Sequence, residues 1–215
     1  TAQSAAPETP VVYCLVLGSV ATATKNITGV RLKVSAADQL ALLRLVQPRI
    51  KRLAVIYEPR NWQEYIAEAN KVAQGMGIQI VSRSITDGKQ VRGVLSDLVT
   101  GVDGLWLLPD PQLITAEMFS FLLVSTLERK VPLFGFFDSF TKAETLASVS
   151  PDYTTIGQKT AKLAQSIAQK PANTRTPVPP PTTSPGVLTV NQKTAGQLDL
   201  ELSQDVLGKA RQVYR

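Results

Sequence analysis

From Lys51 to Gln169 short apolar runs alternate with amphipathic stretches, and this alternation restricts the fold more than any other feature of the chain. "RLAVIYEP" reads as a buried strand centred on Val55 and Ile56 and ended by Pro59. "NWQEYIAEANKVAQGMG" follows as a helix, with Asn61 as its expected N-cap, Tyr65, Ala69 and Val72 on one face, and Gly75 and Gly77 closing it. The strand "IQIVSRSI" and the helix "GKQVRGVLSDLVTG" come next, then the strand "VDGLWLLP" and the helix "LITAEMFSFLLVSTLERK", basic in its last turn. "VPLFGFF" is a fourth strand, "SFTKAE" a short helix, "LASVSPD" a fifth strand and "YTTIGQKTAKLAQSIAQK" a long amphipathic helix. Apolar strands separated by helices require a parallel sheet covered on both faces, because parallel neighbours need crossover connections. The expected fold is therefore α/β, a doubly wound, Rossmann-like parallel sheet over residues 51–170.

The flanks are less regular. "PVVYCLVL" and "NITGVRLKV" read as strands, and "SAADQLALLRLVQPRI" as a helix capped by Ser35, which places residues 1–50 in part of another lobe. Residues 171–186, "PANTRTPVPPPTTSPG", are proline-rich and polar, an extended connector between lobes. Residues 187–215 supply the strand "VLTVN", a short helix around "QKTAGQL" and a final helix "SQDVLGKARQVYR".

Composition removes several kinds of chemistry. There is no histidine and a single cysteine, so Ser-His and Cys-His catalysis and His/Cys zinc sites are excluded. Cys14, inside an apolar run, is expected to be a buried, inert thiol. No glycine-rich phosphate loop or dinucleotide fingerprint is present, and no cofactor is expected. The 23 basic and 17 acidic residues give a net charge of +6. The cations are spread out, and aromatics do not alternate with them, so nucleic acid is not an expected partner. No apolar run reaches the ~18 residues of a membrane helix, and Thr1–Pro10 carries no signal-peptide pattern.

In an open parallel sheet, ligands bind at the carboxyl ends of the strands, where the strand order reverses. Four loops become candidates: Glu58-Pro59-Arg60-Asn61-Trp62, Pro109-Asp110-Pro111-Gln112, Phe136-Phe137-Asp138-Ser139 and Ser150-Pro151-Asp152-Tyr153. Carboxylates at Asp110, Asp138 and Asp152 suit an ammonium group. Arg60 suits an acid group, and Trp62 with Phe137 suits an apolar body. Each residue also has a structural reading. Asp110, Asp138, Asp152 and Asn61 can cap helices, Trp62 can pack in the core, one of Phe136 and Phe137 must face inward, and Arg60 can be a solvated charge.

The order of "NITGV", "QLALLRLVQPRIKRLAVIYEP", "VPLFGFFDSFTKAETLASVSPDYTTIGQKTAKLA" and "LTVNQKTAGQLDLELSQDVLGKA" resembles the periplasmic ABC-transporter substrate-binding proteins of the tryptophan/tyrosine-type group, from about Pro10 to the final helix. The most specific pieces are Asn26–Gly29, Tyr153–Gln158 and "NQKTAGQLDLELS". The resemblance implies a type I periplasmic-binding-protein fold, a clamshell of two lobes closing on a small molecule. About one βαβαβ half-lobe of that family has no counterpart in the sequence, and the open edge this leaves predicts a homodimer through the incomplete lobe. The implied function is the substrate-binding component of an ABC importer, periplasmic or extracellular, held at the membrane by its permease. Its ligand is a small organic molecule such as an amino acid or aromatic compound. Gly18 and Ser19 join Arg60, Asn61, Trp62, Asp110, Phe137, Asp138 and Asp152 as ligand-binding candidates, and no catalytic residue is assigned. The polar positions of the family's site are partly replaced, by Leu17-Gly18, Glu58-Pro59-Arg60, Pro109-Asp110-Pro111 and Phe136-Phe137-Asp138. Two other readings stay open: a ligand-sensing domain of a regulator or receptor, and an enzyme using Asp110 with Asp138 as acid and base.

Overall fold

The computed structural model describes residues 9–16, 25–110 and 115–215. The chain forms two compact units, the larger made of Ala36–Ser150 and Gly186–Arg215, the smaller of Thr1–Ser35 and Pro151–Pro185.

The larger unit is built on a seven-stranded sheet. Its strands are β3 (Arg52–Tyr57), β4 (Gln79–Ser84), β5 (Gly104–Trp106), β6 (Leu133–Gly135), β7 (Ala147–Pro151), β9 (Gly186–Asn191) and β10 (Gln212–Tyr214). They lie in the order β10-β9-β7-β6-β5-β3-β4. The pairs β4–β3, β3–β5, β5–β6, β6–β7 and β9–β10 are parallel. Helices α1 (Ala36–Val46), α2 (Pro59–Gly75), α3 (Val91–Leu98), α4 (Ala116–Glu128), α5 (Asp138–Lys142), α7 (Gln192–Gln197) and α8 (Gln204–Lys209) complete this unit. α6 (Tyr153–Ala168) belongs to the smaller one.

Side chains alternate across the pleat, so each strand feeds two cores. Ala54, Ile56, Leu105 and Leu107 pack with Val91, Leu95 and Leu98 of α3 and Leu122 of α4. On the other side Trp106 meets Tyr65 of α2, ring centroids 5.8 Å apart, and Tyr65 meets Trp62 at 5.5 Å. The central strands β3, β5, β6 and β7 are buried on both faces, as the continuous apolar runs predict, whereas the edge strands β4 and β10 are partly exposed.

The smaller unit carries the parallel strands β1 (Val11–Cys14), β2 (Ile27–Val34) and β8 (Thr182–Ser184) in the order β1-β2-β8, with α6 against β1 and β2. Gly29 is required by this pairing: a Cβ there would collide with the Tyr13 carbonyl oxygen and come within 2.6 Å of its ring.

The units divide the chain differently from the sequence boundaries. α1, expected within 1–50, and residues 187–215, expected to return to the first lobe, both belong to the larger unit. α6, expected within 51–170, belongs to the smaller one, and the proline-rich stretch supplies β8 instead of serving only as a connector. Three further differences have local causes. α2 starts at Pro59, whose fixed φ and missing N–H suit a first helical turn, so Asn61 is not its cap. The last helix stops at Lys209 because Arg211 N–H donates to Leu188 O at 2.9 Å and Gln212–Tyr214 pairs with β9. Cys14 is exposed, not buried, as the final residue of β1 at the edge of the described sheet.

Candidate ligand-binding site

The chain of the larger unit runs outward from β3 to β4, then returns to the far side of β3 to form β5 and continues through β6 and β7. Strand order therefore reverses between β3 and β5, and the carboxyl ends of these strands are where open parallel sheets of this kind bind ligands. The segments Glu58–Trp62, Leu107–Asp110 and Phe136–Asp138 leave the sheet at this edge.

Arg60 and Asn61 sit in the first turn of α2 and are exposed. The Arg60 side chain is 90% exposed, with Nε 3.9 Å from Glu58 Oε1, and Asn61 Nδ2 donates to Glu58 Oε2 at 2.9 Å. Trp62 turns inward onto Tyr65 and is 7% exposed, so it packs in the core and is not an exposed recognition surface. Burial, with the carboxylates of Glu68 and Asp38 adding to it, raises the Tyr65 phenol well above its ordinary range.

Asp110 is fully buried. Its Oδ2 accepts the Glu58 backbone N–H at 2.8 Å, which ties the end of β5 to the end of β3 across the switch point. The acid between two prolines thus braces this end of the sheet. Pro111 and Gln112 lie outside the described residues, as do Gly18 and Ser19.

Phe136 is core and Phe137 is half-buried against it, centroids 4.7 Å apart. The next residue, Asp138, begins α5 and is exposed. The Tyr214 hydroxyl donates to Asp138 Oδ2 at 2.8 Å, bringing β10 to the same edge of the sheet. Partial burial, reinforced by the Asp138 carboxylate, raises the Tyr214 phenol above its usual value. Sequence reasoning missed Tyr214 because the segment around it reads as a helix.

Asp152 belongs to the smaller unit and caps α6 there. Its Oδ1 accepts the Thr154 and Thr155 N–H groups at 3.1 and 3.3 Å, and its Oδ2 the Thr155 hydroxyl at 2.9 Å. The structure thus gathers Arg60, Asn61, Trp62, Asp110, Phe137 and Asp138 at the carboxyl edge of one sheet, with Asp152 in the other unit. A shallow cavity of about 460 Å³ at the opposite edge, lined by Lys51, Asn70, Gln74 and Gln79, contains none of these residues. Among the described residues no cluster of acids, histidines or cysteines could hold a metal ion.

A family model described as "ABC transporter substrate binding protein" matches residues 4–214. No curated protein matches the chain. Among solved structures it is similar to a conserved domain protein from Vibrio cholerae (21% identity, TM-score 0.70) and to an ABC domain in complex with L-Trp from Streptococcus pneumonia (22%, TM-score 0.70). Each similarity covers 87% of this chain and 63% of the other. A substrate binding protein with adhesive properties from Clostridium difficile, ligand-free and open, is 21% identical at a TM-score of 0.67, over 99% of this chain and 68% of that one. At these identities the likeness carries the fold, which is that of type I periplasmic binding proteins. The chain spans 63% of the length of the first two structures.

Proposed function

Since the chain belongs to the ABC transporter substrate binding protein family, we propose that it is the substrate-binding component of an importer, working in the periplasm or outside the cell and delivering its ligand to a membrane permease. The ligand in this reading is a small amino acid-like molecule with an aromatic or apolar body. One observation carries it: exposed Arg60, Asn61 and Asp138 stand at the carboxyl ends of β3 and β6, on either side of the strand that begins the order reversal. A guanidinium and a carboxylate on one edge suit the two charges of a zwitterion, and half-buried Phe137 offers an apolar contact beside them. The L-Trp bound in the Streptococcus relative supports this ligand class. Asp110 and Trp62 act as positioning residues, fixing the Glu58 loop and the first turn of α2. The site holds and releases its ligand, and no covalent step is proposed.

The test is thermal unfolding of the chain against a panel of amino acids and aromatic acids. A ligand at about 100 times its Kd adds roughly 2.7 kcal/mol, a rise of about 5–10 °C for a protein of this size. A flat response across the panel overturns the reading.

A further inference from the structure

The cations that look scattered along the sequence are unevenly divided in space. The smaller unit, residues 1–35 and 151–185, holds seven Lys and Arg against two Asp and Glu; the larger holds sixteen against fifteen. About a third of the chain therefore carries five of the six net positive charges. In the larger unit Arg60–Glu58, Arg92–Glu117, Lys130–Asp199, Lys193–Glu144 and Lys209–Asp205 form ion pairs that offset part of its charge.

The excess is concentrated around α6. From Tyr153 to Pro185 there are four cations, Lys159, Lys162, Lys170 and Arg175, and no carboxylate. Asp152, just before them, spends its oxygens on the helix cap. Lys159 and Lys162 are exposed and lie within about 60° of each other around the helix. Lys170 is exposed just past the last turn, where Arg175 folds back to donate to Ala168 O at 3.1 Å and Lys170 O at 3.0 Å. The outcome is a basic face along α6 and its carboxyl end, on which Lys159 Nζ also donates to Thr183 O at 3.5 Å.

We propose that this face rests on the anionic headgroups of a lipid bilayer. Lysines dominate it, and a lysine ammonium is a compact, hydrated point charge on a flexible stem, suited to a diffuse layer of negative charge more than to bidentate recognition of one group. The helix carries a single exposed aromatic, Tyr153 in its first turn, about 180° around the helix from Lys162, short of the row of aromatic platforms on a single-strand nucleic-acid surface. Each cation near an anionic membrane adds a modest, salt-screened attraction, so four of them give a reversible docking that acts without closing the ligand site. On the importer reading above, on which this step rests, a binding protein serving a membrane permease would have its search confined to two dimensions.

The test is co-sedimentation of the chain with phosphatidylcholine vesicles, with and without phosphatidylglycerol, at low and high salt. Binding is expected only with phosphatidylglycerol and is lost at high salt. The triple variant K159E/K162E/K170E loses at least about tenfold in partitioning. A control triple of exposed cations in the larger unit, K71E/R83E/K89E, keeps it. Lysine-to-glutamine versions replace the first triple if thermal unfolding shows the reversed charges disturb the fold. Absence of binding at low salt, an equal loss in both triples, or binding to a single-stranded oligonucleotide in place of vesicles overturns the proposal.

Discussion

The carboxylate of Asp110 accepts the backbone N–H of Glu58 at 2.8 Å, joining the two strand ends between which the order of the sheet reverses. A matching tie exists at the other end of the same pair, where Asp103 Oδ2 accepts the Lys51 and Arg52 N–H groups, both at 2.7 Å. β3 and β5 are thus pinned by an acid at each end. Truncating the buried acid leaves the Glu58 N–H without its partner. Asp110→Ala is expected to cost about 1–3 kcal/mol in urea unfolding, whereas Asp103→Ala, at the half-buried end, costs less. Equal losses would show that burial of the acid is irrelevant to the brace.

Tyr65 makes stability fall at alkaline pH. Its phenol is raised by burial first, then by Glu68 and Asp38. Unfolded, it releases its proton near an ordinary tyrosine value of about 10; folded, it holds the proton to higher pH. The unfolded state therefore binds fewer protons above that point, and stability present below about pH 10 is lost as the pH rises. Tyr65→Phe is expected to flatten this decline in urea titrations between neutral and alkaline pH while keeping the rings against Trp62 and Trp106.

Gly29 tests the pairing of β1 with β2. Any side chain there meets the Tyr13 backbone, which cannot swing aside as a flexible side chain would. Gly29→Ala is expected to destabilise the smaller unit by about 3 kcal/mol or more, read as lost amide-exchange protection in Ile27–Val34, with protection in β3 and β5 retained.

What local pattern encodes, the sequence displayed, and what only topology encodes, it concealed. Apolar runs at Leu53–Tyr57 and the capping signal at Asp152 are written in adjacent residues, and both are where periodicity places them. Asn191, the last residue of the expected strand "VLTVN", also caps the short helix that follows it, its Oδ1 accepting the Thr194 N–H at 2.9 Å. The passage of the chain between units after Ser35, Ser150 and Pro185 leaves no such mark, because each crossing falls at an ordinary strand or helix end. Asp110 was legible as a loop residue after β5, but its tie to Glu58 spans 52 positions and no spacing rule reports it. Tyr214 was hidden for the same reason, 76 positions from Asp138.

Asp138 and Asp152 use their carboxylates differently. Both are acids at helix starts, yet Asp152 saturates its carboxylate on Thr154 and Thr155, while exposed Asp138 reaches sideways to Tyr214. Asp152→Ala is expected to lose about 1–2 kcal/mol of stability, the ordinary cost of a helix cap. If Asp138 meets the ammonium of an amino acid ligand, Asp138→Asn weakens binding by roughly tenfold or more at nearly unchanged stability, because a charge-assisted hydrogen bond is lost while an exposed one is all the fold forfeits. Tyr214→Phe frees one carboxylate oxygen without removing the charge, so its effect on affinity is smaller, within about threefold. Calorimetric titration of the three variants with the ligand found in the thermal panel separates these outcomes. Unchanged affinity in Asp138→Asn would remove Asp138 from the site and leave its contact with Tyr214 as a surface link between α5 and β10.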